Sequence, residues 1–457
     1  MFDKVIRNGT VITAAAVYPA EVGIKGERIA AVGLDLEGET VIDAAGCYVI
    51  PGGVDVHVHL QMSVGKYTSS DTFESGTVAA AHGGTTTIVD FVEPAGKESM
   101  LAALAARRAK ADDQVAIDYG LHMTIPAWHA DHALDQIPAA MAGGIYSFKM
   151  YQAYGPLCLN DGQLYAALLA LEQHGGFPIL HSENGPVIDR LRADALAAGR
   201  VAPIWHARTR PASLEGEAAG RALELARQVG APLYVVHVSC AEALERVAGA
   251  RRRGQAAYGE SCPQYLFLTE EKLAAGHGER FICAPPLRTA ADQDALWGGL
   301  ERDELQVVST DHCPFTTAEK AAEPDFTRMP GGIPSVEARL SLVHDAARRG
   351  RMSLTRWVDV CCSAPARLFR LPRKGHIAPG YDADLVIFDP EKRVMLSAGE
   401  LHERVDWSPY EEIAVTGWPR EVLSRGESIV RDGEFLGAAG RGRFLQAGRG
   451  KDSIGGR

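Results

Sequence analysis

The sequence lacks the long apolar run that a membrane-spanning helix requires. No stretch approaches the roughly 20 residues needed to cross a bilayer, and the first residues lack the apolar core of a signal peptide. The chain has fewer basic than acidic residues, with 47 Lys and Arg against 58 Asp and Glu, which gives a net charge of -11. This balance argues against a nucleic-acid partner and against an anionic membrane surface. We therefore expect a soluble cytoplasmic protein.

Cysteines are few and scattered, which argues against a disulfide framework. Eight occur in 457 residues, without a CxxC pair, in a chain large enough to be stabilised by its own core. Free thiols are therefore expected. Cys313 directly follows Asp311-His312 and invites comparison with a catalytic nucleophile. A small packed residue beside Asp311 is the preferred interpretation.

The sequence does contain a long alternation of apolar runs and Ala- and Leu-rich helical stretches, from residue 53 to residue 370. Eight apolar runs are candidate strands: 54–60, 85–91, 116–124, 147–151, 178–181, 233–238, 256–260 and 306–310. Candidate helices include residues 100–111, 162–174, 215–229 and 241–252. This alternation predicts a parallel sheet covered by helices, most simply a (β/α)8 barrel of the TIM type.

Both ends of the chain consist instead of short β-like runs separated by turns. We expect residues 1–52 and 373–436 to form one small β-sandwich domain beside a barrel of residues 53–372. The remaining tail, residues 437–457, is rich in Gly and Arg and has little apolar surface to bury. It is expected to be flexible or to lie as an arm on a neighbouring subunit.

Six candidate metal ligands lie at the ends of the predicted barrel strands. His57 and His59 alternate with apolar residues, so both point to the same side of their strand. The histidines of an isolated His-x-His pair more often make ordinary hydrogen bonds within a core than bind a metal. The other four candidates follow later strands and are Lys149, His181, His237 and Asp311. Catalytic residues of TIM barrels collect at these strand ends, so the recurrence predicts a site for two divalent ions and metal-assisted hydrolysis.

Lys149 is the unusual member of this set, because an ammonium group cannot coordinate a cation. Burial beside divalent ions would lower its pKa, and a neutral amine can capture carbon dioxide to form a carbamate. This anion has two oxygens able to bridge two ions, and the charge balance of the site favours it. A lysine paired with a carboxylate at the barrel rim is the alternative.

Five segments that contain these residues resemble the cyclic amidohydrolases of the dihydropyrimidinase and D-hydantoinase type. They are residues 51–59, 148–154, 181–185, 234–239 and 309–315. Residues 380–385 resemble the return of that family into its small β domain. The similarity extends over residues 1–435, and the joint occurrence of the motifs makes it specific.

The resemblance implies a binuclear centre, most often of zinc, with manganese as the alternative. All six candidates would be its ligands: His57, His59 and Asp311 for one ion, His181 and His237 for the other, and carboxylated Lys149 bridging both. It also implies a homo-oligomer, either a tetramer or a dimer.

The activity implied is hydrolysis of the cyclic amide bond of 5-substituted hydantoins or dihydropyrimidines, which gives N-carbamoyl amino acids. A metal-bridging hydroxide would attack the ring carbonyl. Asp311 would be the general base and then the general acid toward the departing ring nitrogen, and Tyr154 would donate to the developing oxyanion. Ala284 and Gly331 occupy the two positions that bind the cyclic amide through main-chain groups, where the family commonly has Ser and Asn.

Other functions stay open at the level of sequence. Gln61 stands where dihydroorotase-like relatives have Arg, which argues against a carboxylated ring. The spacing of the motifs does not distinguish a hydantoinase from an allantoinase-like hydrolase of another cyclic ureide. A non-catalytic scaffold related to dihydropyrimidinases is disfavoured, because all six ligands are present.

The loops at residues 62–72 and 151–160 should shape the pocket for the exocyclic group of the ring. Their larger side chains suggest an apolar substituent, or they simply pack the loops: Tyr67, Tyr151, Leu157 and Leu159.

Overall fold

A barrel of eight parallel strands forms the centre of the computed structural model, which describes residues 1–127 and 130–448. Labelled in chain order, the strands are β1 (Phe2–Arg7), β2 (Thr10–Ile12), β3 (Val17–Pro19), β4 (Glu21–Lys25), β5 (Arg28–Gly33), β6 (Gly38–Asp43), β7 (Tyr48–Pro51), β8 (Gly53–Asp55), β9 (Ser63–Val64), β10 (Tyr67–Thr68), β11 (Thr85–Val92), β12 (Asp118–Thr124), β13 (Ser147–Tyr151), β14 (Phe177–His181), β15 (Leu233–Val235), β16 (Ala257–Ser261), β17 (Val307–Val308), β18 (Leu385–Met395), β19 (Ala414–Ser424), β20 (Glu427–Arg431) and β21 (Glu434–Phe435).

The barrel strands follow chain order around the circle, from β8 and β11 to β17. Among the described strands, the first of the barrel, β8, and the last, β17, are not paired with each other. The barrel is closed between them by isolated contacts of the residues that follow these strands. Val58 forms a bridge with His312, and the N–H of His59 donates to the carbonyl of His312 at 2.8 Å. This nearly closed parallel barrel confirms the predicted fold class.

Helices cover the outside of the barrel. They are α1 (Phe73–His82), α2 (Met100–Ala111), α3 (Ala130–Leu134), α4 (Ile137–Ala142), α5 (Asp161–His174), α6 (Gly185–Ala197), α7 (Ile204–Arg208), α8 (Ala212–Val229), α9 (Ala241–Arg252), α10 (Pro263–Phe267), α11 (Glu271–Ala274), α12 (Ala290–Glu301), α13 (Thr317–Ala321), α14 (Arg339–Arg348), α15 (Leu354–Val358) and α16 (Ala364–Leu368). In α8 the buried positions Ala218, Ala219, Ala222 and Ala226 recur every three or four residues, which places one helix face on the sheet. Within the described ranges, no helix is both long and apolar enough to span a membrane.

Three barrel strands end earlier than the sequence predicts. β8, β15 and β17 end before residues 60, 238 and 310, where the prediction placed their ends. After β15 and β17 the backbone leaves the extended conformation, since His237 and Asp311 have φ values of 39° and 53°, which lie outside the β region. These two metal-ligand candidates therefore stand on turns beyond the sheet.

The amino-terminal end of the barrel is filled by side chains. Phe369, directly after α16, has its ring centre 5.5 Å from that of Phe177 and 5.1 Å from that of Tyr234. Phe177 and Tyr234 lie at the starts of β14 and β15. Because this end is packed, a ligand has room at the carboxyl end, where barrels of this type bind their substrates.

Both ends of the chain meet in one small β domain. One sheet has the strand order β5-β4-β1-β6, and the other has the order β21-β20-β19-β18-β7-β2-β3. Strand β7 pairs antiparallel with β18, with Pro51 opposite Leu385. Apolar side chains of both sheets share one core, among them Ile6, Val49 and Ile387. The predicted sandwich built from both chain ends is confirmed.

The described part of the C-terminal tail lies against its own chain. The N–H of Tyr119 donates to the carbonyl of Arg443 at 3.0 Å, and the N–H of Leu445 donates to the carbonyl of Tyr119 at 2.7 Å. The guanidinium of Arg443 also donates to both carboxylate oxygens of Glu27, at 2.8 and 2.6 Å. These contacts place residues 437–448 on the barrel and the small domain. Residues 449–457 of the predicted tail lie outside the described residues.

Candidate metal centre

Nine residues selected from the sequence meet in one cavity at the carboxyl end of the barrel. The cavity has a volume of about 410 Å³, and its lining includes His57, His59, Lys149, Tyr154, His181, His237, Ala284, Asp311 and Gly331. Five of the six candidate metal ligands are buried, and Asp311 is partly exposed. The turns after the barrel strands therefore bring together residues that are far apart in the chain.

The first group of donors consists of His57, His59 and Asp311. The Nε2 atoms of His57 and His59 lie 3.2 and 3.1 Å from Oδ1 of Asp311. Nε2 of His57 is nevertheless buried without a hydrogen-bond partner among the described residues. Two imidazole nitrogens and a carboxylate oxygen that converge this closely are arranged like ligands of a shared cation.

The second group of donors consists of His181 and His237. Nδ1 of His181 lies 2.9 Å from Nε2 of His237, and Nε2 of His181 donates to Glu183 at 2.8 Å. A neutral His181 that carries its proton on Nε2 presents a lone pair on Nδ1. Burial lowers the pKa of both histidines, so both favour the neutral imidazole that binds metal.

Lys149 reaches the same cavity from β13. It is 1% exposed, and its Nζ lies 5.1 Å from the ring centres of Phe91 and Tyr151. Burial lowers the pKa of Lys149 to about 8. Within residues 1–127 and 130–448, no carboxylate forms an ion pair with its Nζ. The arrangement therefore differs from that of a lysine neutralised by a carboxylate at the rim.

Two buried carboxylates that the sequence reasoning missed orient the imidazole rings. Glu260 accepts a hydrogen bond from Nδ1 of His57. Glu183 accepts from Nε2 of His181 and, at 2.6 Å, from the guanidinium of Arg210. Each carboxylate fixes which ring nitrogen faces the cavity. Glu183 lies two residues after His181, so its position offered a usable signal, whereas no local pattern joins Glu260 to His57.

Tyr154 lines the cavity. Its φ is 70°, and it directly precedes a short 3-10 helix, Gly155–Leu157. The centre of its ring lies 4.7 Å from that of His181. Burial raises the pKa of Tyr154, so the hydroxyl stays protonated. No described residue accepts a hydrogen bond from it, which leaves the O–H available to a ligand.

Ala284 and Gly331 offer main-chain groups rather than side chains. The N–H and C=O groups of both residues have no hydrogen-bond partner in the described part of the chain. A Cβ built on Gly331 would meet no atom within 4 Å, so the cavity is open at this point. Unpaired main-chain groups of this kind can bind the amide groups of a ligand.

Two of the four residues suggested for the exocyclic group line the cavity. They are Tyr151 and Leu157. Tyr67 instead donates its hydroxyl to Glu323 at 2.7 Å, and Leu159 is buried in the core. The apolar wall suggested from the sequence is therefore only partly formed by the residues expected.

Cys313 lines the cavity without the properties of a nucleophile. Burial raises the pKa of its thiol, which disfavours the reactive thiolate. All eight cysteines are free. These observations fit the interpretation of Cys313 as a small packed residue beside Asp311.

The donor set as a whole suits divalent metal ions. Four buried imidazoles and one carboxylate converge on the cavity, and three atoms of this set, on His57, His59 and Asp311, lie within 4.8 Å of one another. Imidazole and carboxylate donors are the ligands of catalytic zinc and related divalent ions.

Comparison with known proteins points in the same direction. Residues 48–429 match the amidohydrolase family. The D-hydantoinase of Streptomyces coelicolor is 45% identical over 453 residues, covering 96% of this chain and 97% of the relative. The D-hydantoinase of Geobacillus stearothermophilus is 44% identical over 453 residues, covering 97% of this chain and 96% of the relative. Among solved structures, the dihydropyrimidinase from Brevibacillus agri gives a TM-score of 0.95 at 43% identity, with 97% of this chain and 98% of that chain covered.

Proposed function

Because the chain belongs to the amidohydrolase family and is a cyclic amidohydrolase of the hydantoinase type, we propose that it opens the rings of 5-substituted hydantoins or dihydropyrimidines. The products are N-carbamoyl amino acids. The observation that best supports this proposal is the meeting of four imidazoles, one carboxylate and one buried lysine in a single cavity. Such a donor set suits metal-assisted hydrolysis of a small ring.

We assign two divalent ions to the cavity, with zinc as the preferred metal and manganese as the alternative. The proposed ligands are His57, His59 and Asp311 for one ion, His181 and His237 for the other, and a Lys149 carboxylated by carbon dioxide for both. When bound, the ions lower the pKa of a water molecule and polarise the ring carbonyl.

The proton transfers are assigned to Asp311. Burial raises its pKa, but the neighbouring His57 and His59 outweigh burial, so the pKa lies below the ordinary value. The carboxylate is therefore ionised and partly exposed to the cavity. It takes a proton from the attacking water and delivers it to the departing ring nitrogen.

The substrate is held and polarised by groups that have no hydrogen-bond partner among the described residues. The N–H and C=O groups of Ala284 and Gly331 bind the cyclic amide of the ring. The hydroxyl of Tyr154, kept protonated by burial, donates to the oxygen on which negative charge develops. These three residues line the same cavity as the donor set.

Parallel turnover measurements with dihydrouracil, hydantoin, phenylhydantoin and allantoin test the substrate class. We expect hydrolysis of the hydantoins or of dihydrouracil to their N-carbamoyl products. Preferential hydrolysis of allantoin would favour an allantoinase-like function instead. Failure to hydrolyse any of the four by metal-loaded protein would refute the proposal.

Metal analysis separates the enzyme from a non-catalytic scaffold. Protein produced with added zinc or manganese should contain about two ions per chain, in accordance with a two-ion site. Protein that binds none under these conditions would support the scaffold. Light scattering on the same sample tests the homo-oligomer, tetramer or dimer, that the family resemblance implies.

A further inference from the structure

Lys320 is a buried lysine that the proposed chemistry does not use. It lies in α13 with 0% exposure, and its Nζ donates to the carbonyls of Ile282 and Pro330, at 3.0 Å in each case. In the described ranges no carboxylate forms an ion pair with this ammonium group. The ring of Trp407, 5.8 Å from Nζ, is a further favourable contact.

The surroundings of Lys320 show what stabilises its charge. Burying an ammonium group without a carboxylate is unfavourable, and burial lowers the pKa of Lys320 to about 8. The carbonyl oxygens of Ile282 and Pro330 offset part of that cost because their dipoles face the charge. The ammonium group and the two chain segments therefore hold one another in place.

These two carbonyls belong to the segments that contribute the unpaired main-chain groups of the cavity. Ile282 lies two residues before Ala284, and Pro330 directly precedes Gly331. A main-chain hydrogen bond also joins the segments, from the N–H of Gly332 to the carbonyl of Ile282 at 2.9 Å. Lys320 adds the side-chain link between them.

Other side chains anchor the first segment alone. Nε2 of His206 donates to the carbonyl of Cys283 at 2.7 Å, and the hydroxyl of Tyr265 donates to the carbonyl of Pro285 at 2.8 Å. These anchors engage the carbonyls on both sides of Ala284 and leave its own groups unpaired. Among the described residues, Lys320 is the side chain that bonds to both segments.

We propose that Lys320 is a positioning residue that sets the separation between the main-chain groups of Ala284 and Gly331 and so the binding of the ureide ring. This inference rests on the proposed function. Lys320 does not line the cavity, so it acts through the two segments and not on the reacting atoms. The cyclic ureide group is common to all the proposed substrates, and its contacts persist from the ground state to the transition state. Loss of such contacts raises KM more than it lowers kcat.

The test is a comparison of Lys320→Met with the unaltered enzyme on hydantoin and on phenylhydantoin. We expect KM to rise about tenfold for both substrates, which corresponds to the loss of one good hydrogen bond, with kcat changed less and bound metal unchanged. Lys392→Met is the matched control, since Lys392 is exposed on β18 and its loss should leave both constants as they are. If Lys320→Met does not fold, Lys320→Gln, which keeps a donor for one carbonyl, is judged by the same criterion.

The outcomes separate this inference from the proposed function. An unaltered, metal-loaded enzyme that hydrolyses neither these two hydantoins nor dihydrouracil would refute the function and, with it, the role of Lys320. An active enzyme whose folded, metal-loaded Lys320 variant keeps its KM would refute only the positioning role. A KM increase confined to phenylhydantoin would also refute it, because the effect would then lie in the pocket for the substituent.

Discussion

At the scale of single residues, a buried acid orients two of the four imidazoles of the site, those of His57 and His181. Glu260 holds Nδ1 of His57, and Glu183 holds Nε2 of His181. Burial raises the pKa of Glu183, but Arg210 and His181 outweigh burial and lower it. An ionised Glu183 accepts the ring proton and leaves the opposite nitrogen free for a cation.

The substitution Glu183→Gln tests this orientation. The neutral amide accepts a weaker hydrogen bond and can rotate to place a donor against the ring, so metal affinity should fall by roughly 10- to 100-fold. Competition with a chelator of known affinity measures the change. Glu217→Gln, at an exposed position of α8, is the control. Equal metal affinity in both variants would contradict the orienting role.

Replacement of Lys149 tests the bridging assignment. Lys149→Ala should lose metal and lower kcat/KM on the order of 10³-fold, because the ions stabilise the transition state by several kcal/mol. Acetate or propionate should restore part of the activity, since a small carboxylate can occupy the vacated place. Lys392→Ala, on the exposed part of β18, is the control. Full turnover by Lys149→Ala would refute the assignment.

Asp311 is predicted to combine metal binding with proton transfer. Asp311→Asn keeps an oxygen donor but cannot accept the proton of the attacking water, so kcat should fall by roughly 10²- to 10⁴-fold while much of the metal is retained. Metal content and kcat are measured on the same sample. A loss of activity fully explained by a loss of metal would show that Asp311 is a ligand and nothing more.

At the scale of elements, the sequence was informative about residue types and less so about conformation. The periodic apolar runs predicted the barrel, and helices α2 and α9 have the predicted bounds, because amphipathic spacing is a local property. The ends of β15 and β17 were predicted wrongly. Their turns depend on the positive φ of His237 and Asp311, which apolar periodicity cannot indicate.

Other features could not be predicted because they join distant parts of the chain. Glu260 and His57 are 203 residues apart, and the link from Lys320 to Ile282 and Pro330 needs the folded barrel. Tyr67 and Leu159 were expected, from loop membership alone, either to face the substituent or simply to pack the loops, and neither lines the cavity. Local sequence identified the loops but not the direction of their side chains.

The position of Leu157 in the short helix Gly155–Leu157 leads to a separate prediction about substrate choice. Leu157 lines the cavity, and Leu157→Ala should lower kcat/KM for phenylhydantoin roughly tenfold through lost apolar contact, with little effect on hydantoin. The ratio of the two specificity constants is the measurement. Leu169→Ala, at an exposed position of α5, is the control. An unchanged ratio would remove Leu157 from the pocket for the substituent.

At the scale of the whole molecule, the proposed centre ties together distant barrel segments. Its residues extend from His57, just after β8, to Asp311, just after β17, which are also the two strands where the barrel is closed by single contacts. Bound ions would therefore stabilise the closure of the barrel as well as the site.

Removal of metal should accordingly lower thermal stability. A ligand that binds only the folded state stabilises it in proportion to the logarithm of its concentration over its Kd. Treatment with a chelator should lower Tm by about 5 °C or more, and added zinc or manganese should restore both Tm and activity. Calorimetry on metal-free and reloaded samples provides the measurement. An identical Tm in both states would show that the ions do not support the closure.

The pairing of β7 with β18 affects the order in which the chain can fold during synthesis. Strand β7 leaves the ribosome before any barrel strand, whereas its antiparallel partner follows the last one. The edge of β7 that pairs with β18 therefore stays unpaired while the entire catalytic barrel is translated. During that interval the unpaired strand can associate with other chains. Slower translation of the barrel should therefore increase the demand for chaperones during production of this enzyme.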